Sequence, residues 1–254
     1  MNNHISHSQL DTFLRCELKW KLGRELLVLT GRDENSGTWA QKAGSVIHTI
    51  MEMYHHPDNN PREVGDLETF LAHALEEIPL KSPYLGQVKK TITNFVNTFG
   101  KDSDHAPDQC ELEFDVPLIP GCDLRVVFDD VTFNHETKEL VIGEYKSSLK
   151  EIDVEEKVWM TYQPFVYQYA AGIKWPDYIL TGIQYTLLSP KSVERVIRPM
   201  WDSDRKKWAI LIPDRAAQMM LIKNYGVIPF SEYGFNCKWC EHWRGTCLKK
   251  FIDG

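Results

Sequence analysis

Leu140-Val141-Ile142-Gly143-Glu144-Tyr145-Lys146 reads as a strand, apolar and β-branched at Val141 and Ile142, preceded by the polar turn Asn134-His135-Glu136-Thr137-Lys138. Side chains on a strand alternate between faces, so Glu144 and Lys146 emerge together while Tyr145 points the other way. Upstream, Leu124 to Phe133 is a second strand, ending near the acidic pair Asp129-Asp130. Pairing the two across the turn brings one of those aspartates beside Glu144. Two carboxylates with an adjacent ammonium make a site for a hard divalent cation, Mg²⁺ or Mn²⁺, where the lysine can orient water or neutralise charge on phosphate. Taken alone, such a triplet is equally the mark of a solvated surface hairpin.

The rest of the chain sets the frame. Its 254 residues can bury the core of one large domain, or of one domain with an appendage. Its 43% hydrophobic and 26% charged content is that of an ordinary globular protein. No apolar run is long enough to span a bilayer, and Met1-Asn2-Asn3-His4 has no signal-peptide core, so a cytoplasmic protein without membrane partners is expected. The six cysteines are therefore not read as disulfides. A net charge of −7 argues against a simple basic nucleic-acid binder, but the charge is unevenly spread. Residues 58–156 hold 9 Lys and Arg against 22 Asp and Glu, whereas 191–254 hold 12 against 7. That division suits a metal site flanked by a phosphate-tracking surface, and suits solvated faces equally well.

Ser8-Gln9-Leu10-Asp11 predicts a capping box, opening a helix with Leu10, Phe13, Leu14 and Leu18 on one side and Cys16 within it. A second helix over Trp39 to Tyr54 has Trp39, Ala43, Val46, Ile50 and Met53 as its buried stripe; His48 lies off the stripe, on the side of Gly44. Helices follow over 66–99, then a half-exposed strand from Cys110 to Ile119. Ile152 to Ile173 reads as helical, with Gln163 and Tyr167 one turn apart on a shared face and Pro164 predicting a kink or a late start. Thr181–Leu188 and Val193–Met200 are two more strands, and 202–224 a helix interrupted by Pro213. Near the C-terminus, Cys237-x2-Cys240-x6-Cys247 points to metal before disulfide, with Cys16 the natural fourth ligand; a zinc site, in which His242 could replace a cysteine, competes with a cluster. Cys110 and Cys122 read as small core residues.

Asp129 with Glu144-x-Lys146 resembles the D…(D/E)xK signature of the PD-(D/E)XK nuclease superfamily. Ser6 to Cys16 is similar to the opening S-x-S-x-L-x-x-(F/Y)-x-x-C of RecB-like exonucleases, Gly44 to His48 to their G-x-x-(V/I)-H, and Gln163-x-x-x-Tyr167 to their Q-x-x-x-Y. The resemblance implies an α/β fold with an αβββαβ mixed-sheet core, forming a single nuclease domain over 1–254. A helical insertion would occupy 57–105 and a Cys-rich iron–sulfur segment 225–254. It implies that Asp129, Glu144, Lys146, Gln163 and Tyr167 serve catalysis. His48, Asp129, Glu144 and the backbone carbonyl of Tyr145 would hold Mg²⁺ or Mn²⁺. Asp130 is the alternative to Asp129, because the glycine expected in G-x-x-D-x-(V/I) is replaced by Val126. It further implies a 4Fe–4S cluster on Cys16, Cys237, Cys240 and Cys247, as in CRISPR-associated and AddB-type relatives, with Zn²⁺ the alternative.

The implied activity is a metal-dependent DNA nuclease, a single-strand exonuclease of DNA processing, recombination or repair, acting on DNA with free ends. No G-x-x-x-x-G-K-(S/T) loop is present, so unwinding would fall to a helicase or recombination partner. A non-catalytic DNA-binding or scaffold subunit, or a redox or zinc-binding interaction module, are the rival readings.

Overall fold

The β-branched and aromatic runs of the chain assemble into one mixed sheet, in a computed structural model that describes the backbone of residues 3–30, 38–59, 63 and 65–225, and the side chains of 4–23 and of those from 38 onward. Three central strands follow one another in sequence: β2 (Gln109–Ile119), β3 (Cys122–Asn134) and β4 (Glu139–Ser147), all antiparallel. A crossover through helix α6 (Gln163–Lys174) lays β5 (Ile179–Leu188) parallel to β4, and β6 (Val193–Pro199) closes the edge as an antiparallel hairpin partner. The order helix, three strands, helix, strand is therefore present, in a mixed sheet with helices.

A further strand, β1 (Asn3–Ser6), has no counterpart in the sequence reading. It is only four residues long and runs parallel to the first half of β3, Ser6 opposite Arg125. The other half of that side of β3 pairs with β4, so β1 and β4 lie end to end and the chain leaving β1 arrives beside the end of β4.

Helix α1 (His7–Arg15) starts there. Its N-cap is Ser6, whose hydroxyl accepts from the Gln9 N–H, so the helix starts two residues before the box expected at Ser8. The helix also stops earlier than expected. Cys16 is extended (φ −165°, ψ 107°) and sits between α1 and α2 (Glu17–Thr30), not inside one helix. Cys16 Sγ accepts from the Lys19 N–H, 3.4 Å from the nitrogen, and so caps the start of α2. Together α1, α6 and α7 (Asp202–Tyr225) cover one face of the sheet. Helix α7 runs through Pro213 where an interruption was expected. A helix-interior proline costs about 3 kcal/mol. Burying Trp208, Ile212, Met219 and Ile222 at roughly 1.5–3 kcal/mol each outweighs it.

The opposite face carries α3 (Trp39–His55), α4 (Asp66–Glu77) and α5 (Ser82–Phe99), packed as a second core around Ile47, Ile50, Met51, Tyr54 and Phe95 and joined to the sheet by Tyr145, Leu188 and Val193. Trp39 and Met53, expected in the buried stripe of α3, are only half-buried; Ile47, Met51 and Tyr54 take their place. Pro164 falls in the first turn of α6, whose late start at Gln163 follows a single π turn at Glu155–Trp159. Among the described residues no helix is long and apolar enough to cross a membrane.

Candidate active site

The register Asp130↔Gly143 sets Asp129 beside Glu144, and the Tyr145 N–H donates to Asp129 Oδ2 at 2.6 Å. Asp130 points to the other face, where its carboxylate accepts from His105 Nε2 at 3.0 Å. A Cβ at position 143 would collide with that carboxylate, so only glycine fits there. The geometry thus separates the two aspartates, with Asp129 on the side of Glu144.

Glu144 is 5% exposed, and each oxygen accepts one hydrogen bond: Oε1 from Lys146 Nζ at 2.5 Å and Oε2 from the Tyr167 hydroxyl at 2.8 Å. Lys146 Nζ also donates to Gln163 Oε1 at 2.7 Å, and Gln163 Nε2 donates to the Tyr167 oxygen at 2.6 Å. The four side chains close a ring. Its phenol stays protonated, because burial first and the Glu144 charge second raise Tyr167 well above its ordinary value.

The two carboxylates are shifted in opposite directions. Burial opposes the ionisation of Glu144, but the Lys146 ammonium, its hydrogen bond, His7 and Tyr167 outweigh that and hold the carboxyl below its usual range. Asp129 is pushed well above its usual range, by burial first and the neighbouring Glu144 charge second. A divalent cation held between the two would let both ionise.

The first half of α3 crosses the end of β4 so closely that a Cβ at Gly44 would lie 3.1 Å from Ser147 Oγ. One turn on, His48 Nδ1 is 3.7 Å from Asp129 Oδ2. Burial lowers the pKa of His48, favouring the neutral imidazole that metal ions bind. Ligand atoms of His48, Asp129 and Glu111 all lie within 4.8 Å of one another.

The half-exposed strand expected over Cys110 to Ile119 marks no role for Glu111. Lying between the pairs Cys110↔Asp130 and Leu112↔Phe128, it falls opposite Asp129 and forms with Asp129 and Glu144 a row of acids across β2, β3 and β4. Its φ of +44° is left-handed, a conformation that costs a non-glycine residue about 1–3 kcal/mol and that no sequence pattern announces. Burial first, then Glu52 and Glu144, raise its carboxyl to about 7. These four side chains, with the Tyr145 carbonyl, would be an oxygen-rich set with one nitrogen, a donor chemistry that fits Mg²⁺ or Mn²⁺.

Residues 4–247 match the family model of the PD-(D/E)XK nuclease superfamily. The chain belongs to that superfamily. Its fold is similar to that of a "putative exonuclease" from Eubacterium rectale, with a TM-score of 0.57 and 14% identity over 96% of this chain and 88% of the other. SSO0001 aligns over 76% of this chain and 82% of its own at 12% identity and a TM-score of 0.34, too low to bear on the fold. No curated protein matches the sequence. Within the PD-(D/E)XK frame the expected residues His48, Asp129, Glu144, Tyr145, Lys146, Gln163 and Tyr167 converge on the end of β4. Cys237, Cys240 and Cys247 lie outside the described residues; Cys16, half-buried, is the one expected cluster ligand that is described.

Proposed function

We propose that the protein is a divalent-metal-dependent DNA nuclease, acting exonucleolytically on single strands, in one domain spanning 1–254 with 57–105 as a helical insertion. The observation that carries this reading is the closed ring Glu144–Lys146–Gln163–Tyr167 standing against Asp129. His48, Glu111, Asp129, Glu144 and the carbonyl of Tyr145 would hold Mg²⁺ or Mn²⁺. When bound, the ion would lower the pKa of a water and polarise the scissile phosphate. Every remaining role falls to the chain. Lys146 has three donors, two of them spent on Glu144 and Gln163; the third is left for the attacking water or a phosphate oxygen. Gln163 and Tyr167 are buried, with their polar atoms turned to Lys146 and Glu144, so they position these two groups and do not themselves face DNA.

Digestion of 5′- and 3′-labelled single strands tests the reading. Wild type should release short products only when Mg²⁺ or Mn²⁺ is present, and Glu144→Ala should lose at least about two orders of magnitude while remaining folded. Full activity of that variant, or metal-independent cleavage, would contradict it.

The proposal extends to Cys16, Cys237, Cys240 and Cys247 as ligands of a 4Fe–4S cluster, with Zn²⁺ the competing occupant. What supports it is the sequence spacing and the position of Cys16 at the break between α1 and α2.

A further inference from the structure

Helix α3 carries two histidines, His48 and His55, spaced two turns apart so that both fall on the side that meets β4. They meet it differently. His48 belongs to the candidate metal site, yet its Nδ1 stays 3.7 Å from Asp129 Oδ2, longer than a hydrogen bond. The position of the helix therefore decides whether that ring reaches an ion. His55 is buried on the face away from Glu144. Its ring stacks on Tyr145 with centroids 5.7 Å apart, and the Tyr145 hydroxyl lies 3.0 Å from His55 Nδ1. That nitrogen also meets the Met51 carbonyl at 3.0 Å. His48 packs edge-on against the same Tyr145 ring at 6.2 Å, so one tyrosine touches both histidines while its own N–H donates to Asp129.

The other nitrogen of His55 is tied down as well. Nε2 lies 2.9 Å from Asp102 Oδ2, and Arg195 of β6 donates to both oxygens of that carboxylate. A chain of polar contacts thus runs from β6 through α3 to β4. Such a buried chain gains little net stability over apolar side chains of similar volume. What it supplies is direction. Ile47, Ile50, Met51 and Tyr54 pack α3 on its neighbours, but apolar contact is non-directional and leaves the helix free to slide. Strand β4 needs no such anchor, because Glu139 to Ser147 is paired with β5 from end to end.

We propose that His55 is a positioning residue of the metal site: held by the Tyr145 hydroxyl and Asp102, it fixes α3 over β4 and so places His48 beside Asp129 and Glu111. Metal ligands must be kept within about 0.5 Å of their productive geometry, a tolerance that directed bonds meet and sliding apolar surfaces do not. The seven residues between the two histidines form rigid helix, so a bond made at His55 sets the position of His48.

The inference rests on the nuclease reading for the identity of the ion, so the experiment reads the ion without cleavage. Electron paramagnetic resonance of free Mn²⁺ gives the dissociation constants of wild type, Tyr145→Phe, His48→Ala and the double variant. Tyr145→Phe removes one buried hydroxyl and keeps the ring and the backbone carbonyl. It is expected to weaken Mn²⁺ binding about tenfold, the scale of losing a partner behind a metal ligand. In the His48→Ala background the same change should add less than about twofold, because the side chain it positions is gone. His55→Phe, which keeps the stack and loses both polar contacts, should repeat the pattern. A merely structural role predicts the same factor in both backgrounds. That result, or wild-type affinity in Tyr145→Phe, overturns the proposal, and the nuclease reading survives it if wild type cuts DNA with Mn²⁺. The expected pattern in a protein that cuts no DNA would uphold the proposal and contradict the nuclease reading. A wild type that binds no Mn²⁺ would overturn both.

Discussion

At the scale of single residues, the site works through positions that leave no slack. Gln163 touches Lys146 and Tyr167, and Tyr167 touches Glu144, so removing Gln163 frees the ammonium without removing any proposed metal ligand. Gln163→Ala is expected to slow cleavage about 10- to 100-fold, as losses of outer partners at metal sites do, with little change in the Mn²⁺ concentration needed for half-activity. A rise in that concentration with unchanged maximal rate would make Gln163 part of the metal shell instead. Gly143 is the other unforgiving position. Gly143→Ala must displace Asp130 or the strand, and urea denaturation should show a loss of about 1–3 kcal/mol, whereas an unchanged midpoint would mean that the Asp130 carboxylate moves freely.

At the scale of elements, β4 divides two polar systems. On the face away from Glu144, the Tyr145 hydroxyl lies 3.0 Å from His55 Nδ1, His55 Nε2 lies 2.9 Å from Asp102, and Asp102 takes a bidentate pair from Arg195 of β6 at 2.7 and 3.0 Å. Burial alone would raise the Asp102 carboxyl. Hydrogen bonds from His55 and Arg195, with the guanidinium charge, instead carry it well below the usual range. A depressed folded-state pKa stabilises the fold above the unfolded value near 3.8, and that contribution is lost as pH falls through the folded value. Asp102→Asn, which retains tolerance for the left-handed φ of +49°, should cost about 3–5 kcal/mol at pH 7. The gap to wild type should narrow below about pH 4; a gap constant from pH 7 to 3 in urea titrations would rule out the ionised pair. None of this network was legible in the sequence, because His55, Asp102 and Arg195 are far apart in the chain and share no spacing. The strand carrying Glu144 and Lys146, its hairpin with β3, and the helices bearing His48 and Gln163 were legible, since alternation and 3.6-residue periodicity are local properties. β1 escaped because four residues are too few for a pattern, and Glu111 because its left-handed turn is imposed by tertiary pairing.

At the scale of the whole molecule, the site is assembled from both helical layers and the sheet between them: α3 brings His48, α6 brings Gln163 and Tyr167, and β2 to β4 bring the acids. Chain ends far apart in sequence are expected to be drawn together by the cysteines. If Cys16 and the C-terminal trio share a cluster, closing so long a loop stabilises the fold, because closure entropy grows with loop length. Cys16→Ala should then lose iron and sulfide and unfold at a lower temperature, while Cys110→Ala keeps its iron; a colourless wild type with one equivalent of zinc would assign the thiols to zinc. The nuclease centre is independent of that outcome. The most direct test of its central claim is an anomalous-difference map from crystals soaked in Mn²⁺. A peak in contact with His48, Glu111, Asp129, Glu144 and the Tyr145 carbonyl is expected; crystals that bind Mn²⁺ elsewhere and leave these residues bare would contradict it.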